Sequence, residues 1–296
     1  MKMGYLKINV SLISALIERW RPKTHTFHMR CGECTITLQD VYVLLGLRVD
    51  GLPLIGPTNL NWADLCEKLL GVRPQEGEIK EQVRRFARAW ILRFIGGVLF
   101  VDKSSNKVSL RYLQFLRDFQ DCSTYAWGPA ILAFLYREMC SATDYKTKSI
   151  EERCPTLAPK RTPSQVENKP LGHRLVIFKS VIHFKRINGF RWLRRGNQHI
   201  NNDDVRAFRC KLDIMKRHEF VWEPYTATVI SLLPPICVLR SVAWCTVVPL
   251  ICFQVIEWHQ LDRVLRQFGM QQPILESPSQ PLNIHGITLK GKHDKN

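Results

Sequence analysis

Four side chains near the start of the chain are of the types that bind zinc. They recur at intervals of three residues: His25, His28, Cys31 and Cys34. Imidazole and thiolate are the usual ligands of structural zinc. Structural zinc motifs separate their two ligand pairs by a dozen residues or more, and in a strand His25 and His28 would point to opposite faces. We therefore predict that Cys31 and Cys34 bind no metal.

The two close-spaced cysteines could instead carry redox chemistry. A redox C-x-x-C usually opens a helix that follows a strand, where the helix N-terminus lowers the thiol pKa. Cys34 precedes the expected helix N-cap, Thr37, by three residues, so this activation is weak. The other cysteines are scattered and no secretory signal is evident, so reduced thiols in a nuclear or cytosolic protein are expected.

Arginine-rich segments could bind phosphate. Lys and Arg number 43 against 26 Asp and Glu, a net charge of +17, which favours acidic partners and nucleic acid first. The candidate contact residues form three groups: Arg84, Arg85 and Arg88; Arg194 and Arg195; and His259, Arg263 and Arg266. Solvated helix faces and an Asp262–Arg266 ion pair are the alternatives.

No catalytic constellation is visible in the sequence. Pyridoxal-phosphate chemistry needs a Schiff-base lysine, an acid for the ring nitrogen and a phosphate cradle, and none is recognisable. A transposase needs carboxylates that meet around two metal ions. The candidates are scattered along the chain: Asp102, Asp118, Asp121, Glu138 and Glu257. We predict a non-enzymatic protein without catalytic residues, metal or cofactor.

The elements that position these residues can be predicted from periodicity. Residues 24–29 alternate and residues 35–37 are β-branched, which predicts a small hairpin over residues 24–37. Thr37 has the position of an N-cap, with Asp40 three residues later as in a capping box. Gly46 can end that helix in the left-handed conformation.

Two further segments have a clear helical period. The first is Ile79–Phe94, whose apolar face we expect to be buried: Ile79, Val83, Phe86, Ala87, Trp90, Ile91 and Phe94. The second is residues 252–268, with the predicted buried stripe Leu261, Val264, Leu265 and Phe268. The arginine groups on these helices lie off the predicted buried faces.

Composition divides the chain into four parts. Residues 1–140 and 191–275 are the predicted halves of one domain. Residues 141–190 are polar, basic and proline-containing, which predicts a flexible insertion, and residues 276–296 read as a disordered tail. The predicted fold is mainly α, a helical globular domain with a small N-terminal β-hairpin and a polar insertion.

Several stretches, in order, resemble the plant mobile domain, whose members are often named aminotransferase-like. They are LISALIERWRPKTHTFHMRCGECTITLQDVYVLLGLRVDG, RRFARAWILRFIGGVLFVDKSSNKVSLRYL, WGPAILAFLYREM, EFVWEPY and VIEWHQLDRVLRQFGMQQPI. The resemblance covers most of the chain outside residues 145–190.

This resemblance implies a non-enzymatic nuclear module with roles in meristem maintenance, genome integrity and the silencing of mobile elements. The alternative is a mobile-element-derived, transposase-like DNA-processing protein or its inactive remnant. The expected location is the nucleus, with the cytoplasm as the alternative. Expected partners are nucleic acid, through non-specific phosphate contacts, or nuclear proteins, with no membrane. Three carboxylates within metal-bridging reach would favour the DNA-processing alternative.

Overall fold

The computed structural model describes residues 10–71, 79–100, 108–143, 202–225, 227–231 and 241–275. The predicted insertion lies outside these ranges except for residues 141–143, which end a helix, and the predicted tail lies outside them entirely. Arg194 and Arg195 also fall outside the described residues. Within them the fold is mainly helical with a small N-terminal antiparallel sheet, which confirms the predicted fold class.

The α-helices are α1 (Val10–Ile17), α2 (Leu38–Leu45), α3 (Trp62–Leu70), α4 (Ile79–Phe94), α5 (Phe119–Cys122), α6 (Trp127–Thr143), α7 (Asn202–Ile214) and α8 (Ala227–Ser231). A π-helical turn at Ile95–Leu99 follows α4. Short 3-10 helices occur at Leu110–Leu116, Arg217–Glu219, Ser241–Cys245, Leu261–Arg263 and Leu265–Phe268. None of the helices in the described ranges has the length and apolar character needed to span a bilayer.

In the part of the chain that the structure describes, the strands form two antiparallel sheets. The first has the order β1 (Trp20–Arg21), β2 (Thr26–Met29), β3 (Gly32–Cys34), so the predicted hairpin is present with one additional short strand. Its register pairs Phe27 with Cys34 toward the core and His28 with Glu33 on the other face. The second sheet is the hairpin β4 (Val248–Cys252) and β5 (Val255–His259).

Helix α6 is the central element of the core. It contacts both strands of the β4–β5 hairpin as well as α1, α2 and β1. Ala130 and Ala133 are fully buried, and such small side chains let neighbouring backbones approach closely. Gly128 at its start donates its N–H to the carbonyl of Arg48, and a Cβ there would lie 2.7 Å from that oxygen.

The predicted capping box at the start of α2 is confirmed. Thr37 accepts the N–H of Asp40, and the Asp40 carboxylate accepts the Thr37 N–H at 2.7 Å. Gly46 ends the helix with φ 66°. Asp40 is fully buried, and its second oxygen accepts the hydroxyl of Tyr225 at 2.8 Å. The cap therefore also holds the distant EFVWEPY segment.

The helix predicted over residues 252–268 is wrong. A tight turn at Phe253 and Gln254 leads into β5, and two 3-10 turns follow. Phe253 has φ 53°, a conformation that costs a bulky residue about 1–3 kcal/mol. Its buried ring packs on the ring of Phe115, with centroids 5.7 Å apart. Its N–H donates to the carbonyl of Leu54 at 2.7 Å. Core packing therefore stabilises this turn, although the sequence has no Gly or Asn there that would predict it.

The buried face of α4 is only partly the predicted one, since Ile91 and Phe94 are half-buried against the core but other predicted residues are not. Arg88, Leu92 and Ile95 are buried, whereas Val83, Phe86 and Trp90 are 61%, 77% and 66% exposed. Arg88 can be buried because backbone carbonyls accept hydrogen bonds from its guanidinium N–H groups. It donates to the carbonyls of Leu69 (3.3 Å), Leu116 (3.0 Å) and Arg117 (3.1 Å).

These carbonyls belong to the ends of α3 and of the Leu110–Leu116 3-10 helix. The last carbonyls of a helix have no partner within it, so a guanidinium with five donors can satisfy two helix ends at once. The Arg88 guanidinium also lies 5.4 Å from the ring centroid of Phe119. Arg88 is therefore a structural residue that joins three elements.

We predict that Arg88→Met, which keeps the stem length, lowers the free energy of unfolding by about 2–4 kcal/mol. The reason is that several buried carbonyls lose their donor. Arg84→Met, at an exposed arginine one turn earlier on the same helix, should change it by less than ~0.5 kcal/mol. Urea unfolding of both variants measures the difference, and equal effects would contradict a structural role for Arg88.

Candidate functional site

A buried ion cluster joins the two ends of the described chain. Glu257 on β5 and His25 are both fully buried. One Glu257 oxygen lies 2.9 Å from Nε2 of His25, and the other accepts a hydrogen bond from Nε of Arg137 on α6. Nδ1 of His25 donates to the carbonyl of Trp258 at 2.8 Å. We call His25, Arg137 and Glu257 the central cluster.

Aromatic rings and hydroxyl groups enclose the central cluster. Tyr136 stacks on His25 with ring centroids 4.9 Å apart, and the ring centroid of Trp20 lies 6.0 Å from that of the imidazole. The Thr35 hydroxyl donates to the carbonyl of His25, and the Tyr136 hydroxyl donates to the carbonyl of Ile36 at 2.6 Å. These contacts hold His25 at φ 52°, in the left-handed region.

A second ion pair connects the N-terminal sheet to the segment after β5. Arg263 donates from Nε and Nη2 to the two oxygens of Glu33, at 2.9 and 2.7 Å. The Thr26 hydroxyl donates to Glu33 at 2.8 Å, and His28 lies 3.3 Å from it. Burial alone would raise the pKa of Glu33, but the bonds from Arg263 and Thr26 outweigh it and lower that pKa.

A thiol near an acid–histidine pair has the composition of a nucleophilic site. Cys140 accepts a hydrogen bond from Nε1 of Trp20 at 3.3 Å. Burial raises the pKa of Cys140 to about 12, so the thiol stays protonated near neutral pH and is a poor nucleophile. Because His25 and Glu257 are fully buried, a substrate cannot contact them in this conformation. The central cluster therefore acts as a structural network.

The zinc-type residues are likewise used for packing and ion pairing. Both histidines face carboxylates, as described above. Cys31 is buried, which raises the pKa of its thiol, and Cys34 lies in the hydrophobic core. Across the described ranges no three His, Cys, Asp or Glu side chains are placed to hold a metal ion.

The contact residues predicted near the C-terminal end face the interior. His259 and Arg263 are buried, and Arg266 is half-buried with its guanidinium 5.9 Å from the ring centroid of Trp222. The predicted solvent-facing stripe is wrong because β5 has strand periodicity, which places Glu257 and His259 on its buried face.

Among the arginines predicted on α4, exposure differs. Arg84 is exposed, Arg85 is half-buried and Arg88 is buried. Arg93, which the sequence analysis did not select, is exposed on the same helix. The α4 group of predicted arginines is therefore only partly accessible.

Sequence reasoning missed the exposed stripe of α4, here named the α4 stripe and defined as Val83, Phe86 and Trp90. The signal was present, since these residues repeat at i, i+3 and i+7. That pattern was read as a core face, which is the usual meaning of such a period. The ring of Trp90 stacks on Phe94 with centroids 5.7 Å apart and an interplanar angle of 5°.

An open cavity of about 510 Å³ lies between the loop after α2, the start of α6 and β4. Its walls are mostly apolar, with Asp50 and Thr246 among the polar lining residues. The volume is that of a small-ligand site, but such sites also carry several convergent polar groups. Asp50 is paired with Arg48 at 3.0 Å. The cavity therefore does not define a ligand class.

A family model described as the plant mobile domain matches residues 1–280. The similar proteins of Arabidopsis thaliana include the "Serine/threonine-protein phosphatase 7 long form homolog", which is 37% identical over 99% of this chain and 24% of that protein. "Protein MAIN-LIKE 1" is 32% identical over 92% of this chain and 56% of its own length. "Protein MAINTENANCE OF MERISTEMS" is 31% identical over 92% of this chain and 59% of its own. No solved structure matches this chain significantly.

We predict that Glu257→Gln lowers the free energy of unfolding by about 3–5 kcal/mol, because it takes the carboxylate away from the fully buried His25 and the half-buried Arg137. Asp262→Asn, an exposed acid a few residues later, should cost less than ~0.5 kcal/mol. Chemical denaturation of the three proteins measures this. A Glu257→Gln protein as stable as the Asp262→Asn control would show that the cluster is not a structural network.

The lowered pKa of Glu33 predicts an acid-dependent loss of stability. A carboxylate with a depressed folded pKa stabilises the fold above its unfolded pKa, near 4.3, and that contribution disappears as the pH falls through the folded pKa. Glu33→Gln should therefore flatten the decrease in melting temperature between about pH 5 and pH 3.

The comparison is best made in a His28→Gln background, so that the neighbouring imidazole does not titrate. Glu67→Gln, an exposed acid on α3, is the control and should keep the slope of the parent protein. Parallel curves for Glu33→Gln and its parent would contradict the assignment.

Proposed function

The chain belongs to the plant mobile domain family, and from this membership we propose that it is a non-enzymatic nuclear module. Its proposed roles are meristem maintenance, genome integrity and the silencing of mobile elements. It would act by binding other macromolecules through its surface. The observation that carries this proposal is the burial of the central cluster.

The side chains with acid–base potential support the proposal by where they lie. His25, Glu257 and His259 are fully buried, and each belongs to the packing between the sheet, α6 and the β4–β5 hairpin. Groups of this kind contribute to stability and cannot contact a substrate without local opening. What remains accessible is surface, including the exposed α4 stripe.

The names of the relatives support the meristem role but not an activity. The chain spans 24%, 56% and 59% of the three relatives described above. The name phosphatase was given to a whole protein, and it says little about the activity of a matching segment that forms a quarter of that protein. Meristem maintenance is in the name of one relative, and the match to it covers 92% of this chain.

A second candidate activity is weak, sequence-independent binding of nucleic acid. The net charge of +17 favours it, since phosphate contacts supply most of non-specific binding. Arg84 and Arg93 are exposed cations on α4. This activity would add to the module function and does not require base-reading elements.

A domain exchange tests the first proposal. In an Arabidopsis line that lacks MAINTENANCE OF MERISTEMS, a chimera carrying this chain in place of the matching segment should enter the nucleus, restore meristem growth and repress transcripts of mobile elements. The Glu257→Gln chimera is the control and should fail, because it is destabilised. A stable nuclear chimera without rescue would contradict the proposed role, and metal-dependent turnover of phosphopeptide or DNA by the purified chain would contradict a non-enzymatic module.

A salt titration tests the second. The chain should bind two unrelated DNA duplexes equally, with log K falling by about 0.9 per neutralised phosphate as log salt rises. Arg194→Ala with Arg195→Ala should weaken binding to both duplexes alike and flatten the slope by at most about two units. Arg84→Ala should flatten it by about one unit, whereas the buried Arg88 contributes nothing to it. Salt-independent binding, or binding to one duplex alone, would exclude this activity.

A further inference from the structure

The β2–β3 turn and the segment that follows α7 together present a cluster of basic side chains. Its members are Arg30 in the turn and Lys216, Arg217 and His218 after the helix, and all four are exposed. We call these four residues the α7-end patch. None of them belongs to the basic groups selected from the sequence, because Arg30 is distant from the other three along the chain.

A hydrogen bond places the two parts of the α7-end patch side by side. Nη1 of Arg30 donates to the carbonyl of Asp213, in the last turn of α7, at 3.2 Å. Lys216 follows Asp213 by three residues, so their Cα atoms are at most about 11 Å apart. A guanidinium has five N–H donors, so this one bond leaves donors of Arg30 for a ligand.

Trp222 fixes the segment after α7 against the N-terminal sheet. Its Nε1 donates to the carbonyl of Arg217 at 3.2 Å. Its ring touches the β2–β3 turn, since a Cβ added at Gly32 would lie 3.1 Å from a ring atom. The guanidinium of Arg266 lies 5.9 Å from the centroid of the same ring. The backbone that carries the patch is therefore anchored, and little ordering is needed on binding.

The two acids nearest to residues 216–218 in the sequence already have partners. Asp213 forms an ion pair with Arg19, and Glu219 accepts the backbone N–H of Lys216 at 2.6 Å. From residue 214 to residue 218 the sequence has three basic side chains and no acid. The three fixed cations of the patch therefore exceed the one neighbouring carboxylate that no basic side chain neutralises, and the surface favours an anion.

The backbone of a nucleic-acid duplex fits this arrangement of charge. Successive phosphates of one strand rise about 3.4 Å along the duplex axis, so a patch roughly 11 Å long spans about three of them. Arginine and lysine are the usual phosphate contacts, and such contacts read no bases. A duplex also presents its phosphates in fixed positions, so neither partner has to become ordered.

Two other acidic partners fit less well. Single-stranded nucleic acid needs open ring faces for stacking, whereas the half-buried Trp222 packs on Phe220 with ring centroids 4.5 Å apart. An acidic peptide needs apolar area for its anchors. Ile214 and Val221, which are 71% and 41% exposed, offer two aliphatic side chains, and an unfolded peptide would also lose entropy on binding.

We propose that the α7-end patch binds the phosphate backbone of double-stranded nucleic acid. This inference rests on the second candidate activity, the sequence-independent binding of nucleic acid, and names a surface that carries it. Arg30, Lys216 and Arg217 each neutralise one phosphate, and base edges are not contacted.

A salt titration of a DNA duplex with charge-matched variants tests the proposal. Lys216→Gln with Arg217→Gln should lower the affinity at low salt by roughly tenfold or more, and should flatten the slope of log K against log salt by about two units. Adding Arg30→Gln should flatten it by about one further unit. Two unrelated duplexes should respond alike.

The matched control is Lys68→Gln with Arg117→Gln. These exposed cations lie on α3 and after the Leu110–Leu116 3-10 helix, and their removal changes the net charge by the same amount. The control should change the slope by less than about half a unit, because only cations that contact phosphate release counterions. Thermal melts verify that all variants fold, as expected for changes at exposed side chains.

Two kinds of result would overturn the proposal. One is an equal change of slope in the patch variant and the control, and the other is tighter binding of a single-stranded oligonucleotide or of polyglutamate than of the duplex. Duplex binding that keeps its salt dependence in the patch variant would retain the second candidate activity and exclude this surface. No duplex binding by the wild-type chain would exclude both.

Discussion

The shared carboxylate of Glu257 is the interaction on which the remaining structure depends. It brings an imidazole from the N-terminal sheet and a guanidinium from α6 to one strand of the C-terminal hairpin. Removing one member of a buried ion set leaves an uncompensated charge in a poorly polarisable interior, so the members have to be present together. The Glu33–Arg263 pair repeats the same connection nearer the surface, and the Thr35–Gln267 hydrogen bonds repeat it in the interior. Polar contacts thereby define how the sheet and the hairpin meet over a largely apolar core.

Local signals in the sequence were sufficient for the parts of the fold that local interactions determine. The alternation in residues 24–29 and the Thr37–Asp40 cap predicted the hairpin and the start of α2, because hydrogen bonds between near neighbours specify both. The helical spacing of Val205, Phe208 and Leu212 likewise agrees with their burial on α7. The central cluster could not be predicted in this way. His25 and Arg137 gain their roles only from a strand far along the chain.

The errors have a common physical origin. Helical spacing over residues 259–266 was real but coincidental, and the Phe253 turn that interrupts it is stabilised by core contacts rather than by a turn residue. On α4 the widest apolar stripe was assigned to the core, and an arginine that caps two helix ends occupies the core instead. Periodicity shows that a helix has two kinds of face. It does not show which one a neighbouring element covers.

The distance along the chain between the members of the central cluster also affects how the protein is made. The contact between His25 and Trp258 spans 233 residues. At a synthesis rate of about 5–20 residues per second, the N-terminal sheet waits for roughly 10–50 s after His25 is made before its partner strand exists. During that time His25 and Thr35 lack their C-terminal partners Glu257, Trp258 and Gln267. Native closure is therefore a late, long-range event, of the kind that folds slowly and relies on chaperones to protect the ribosome-bound chain.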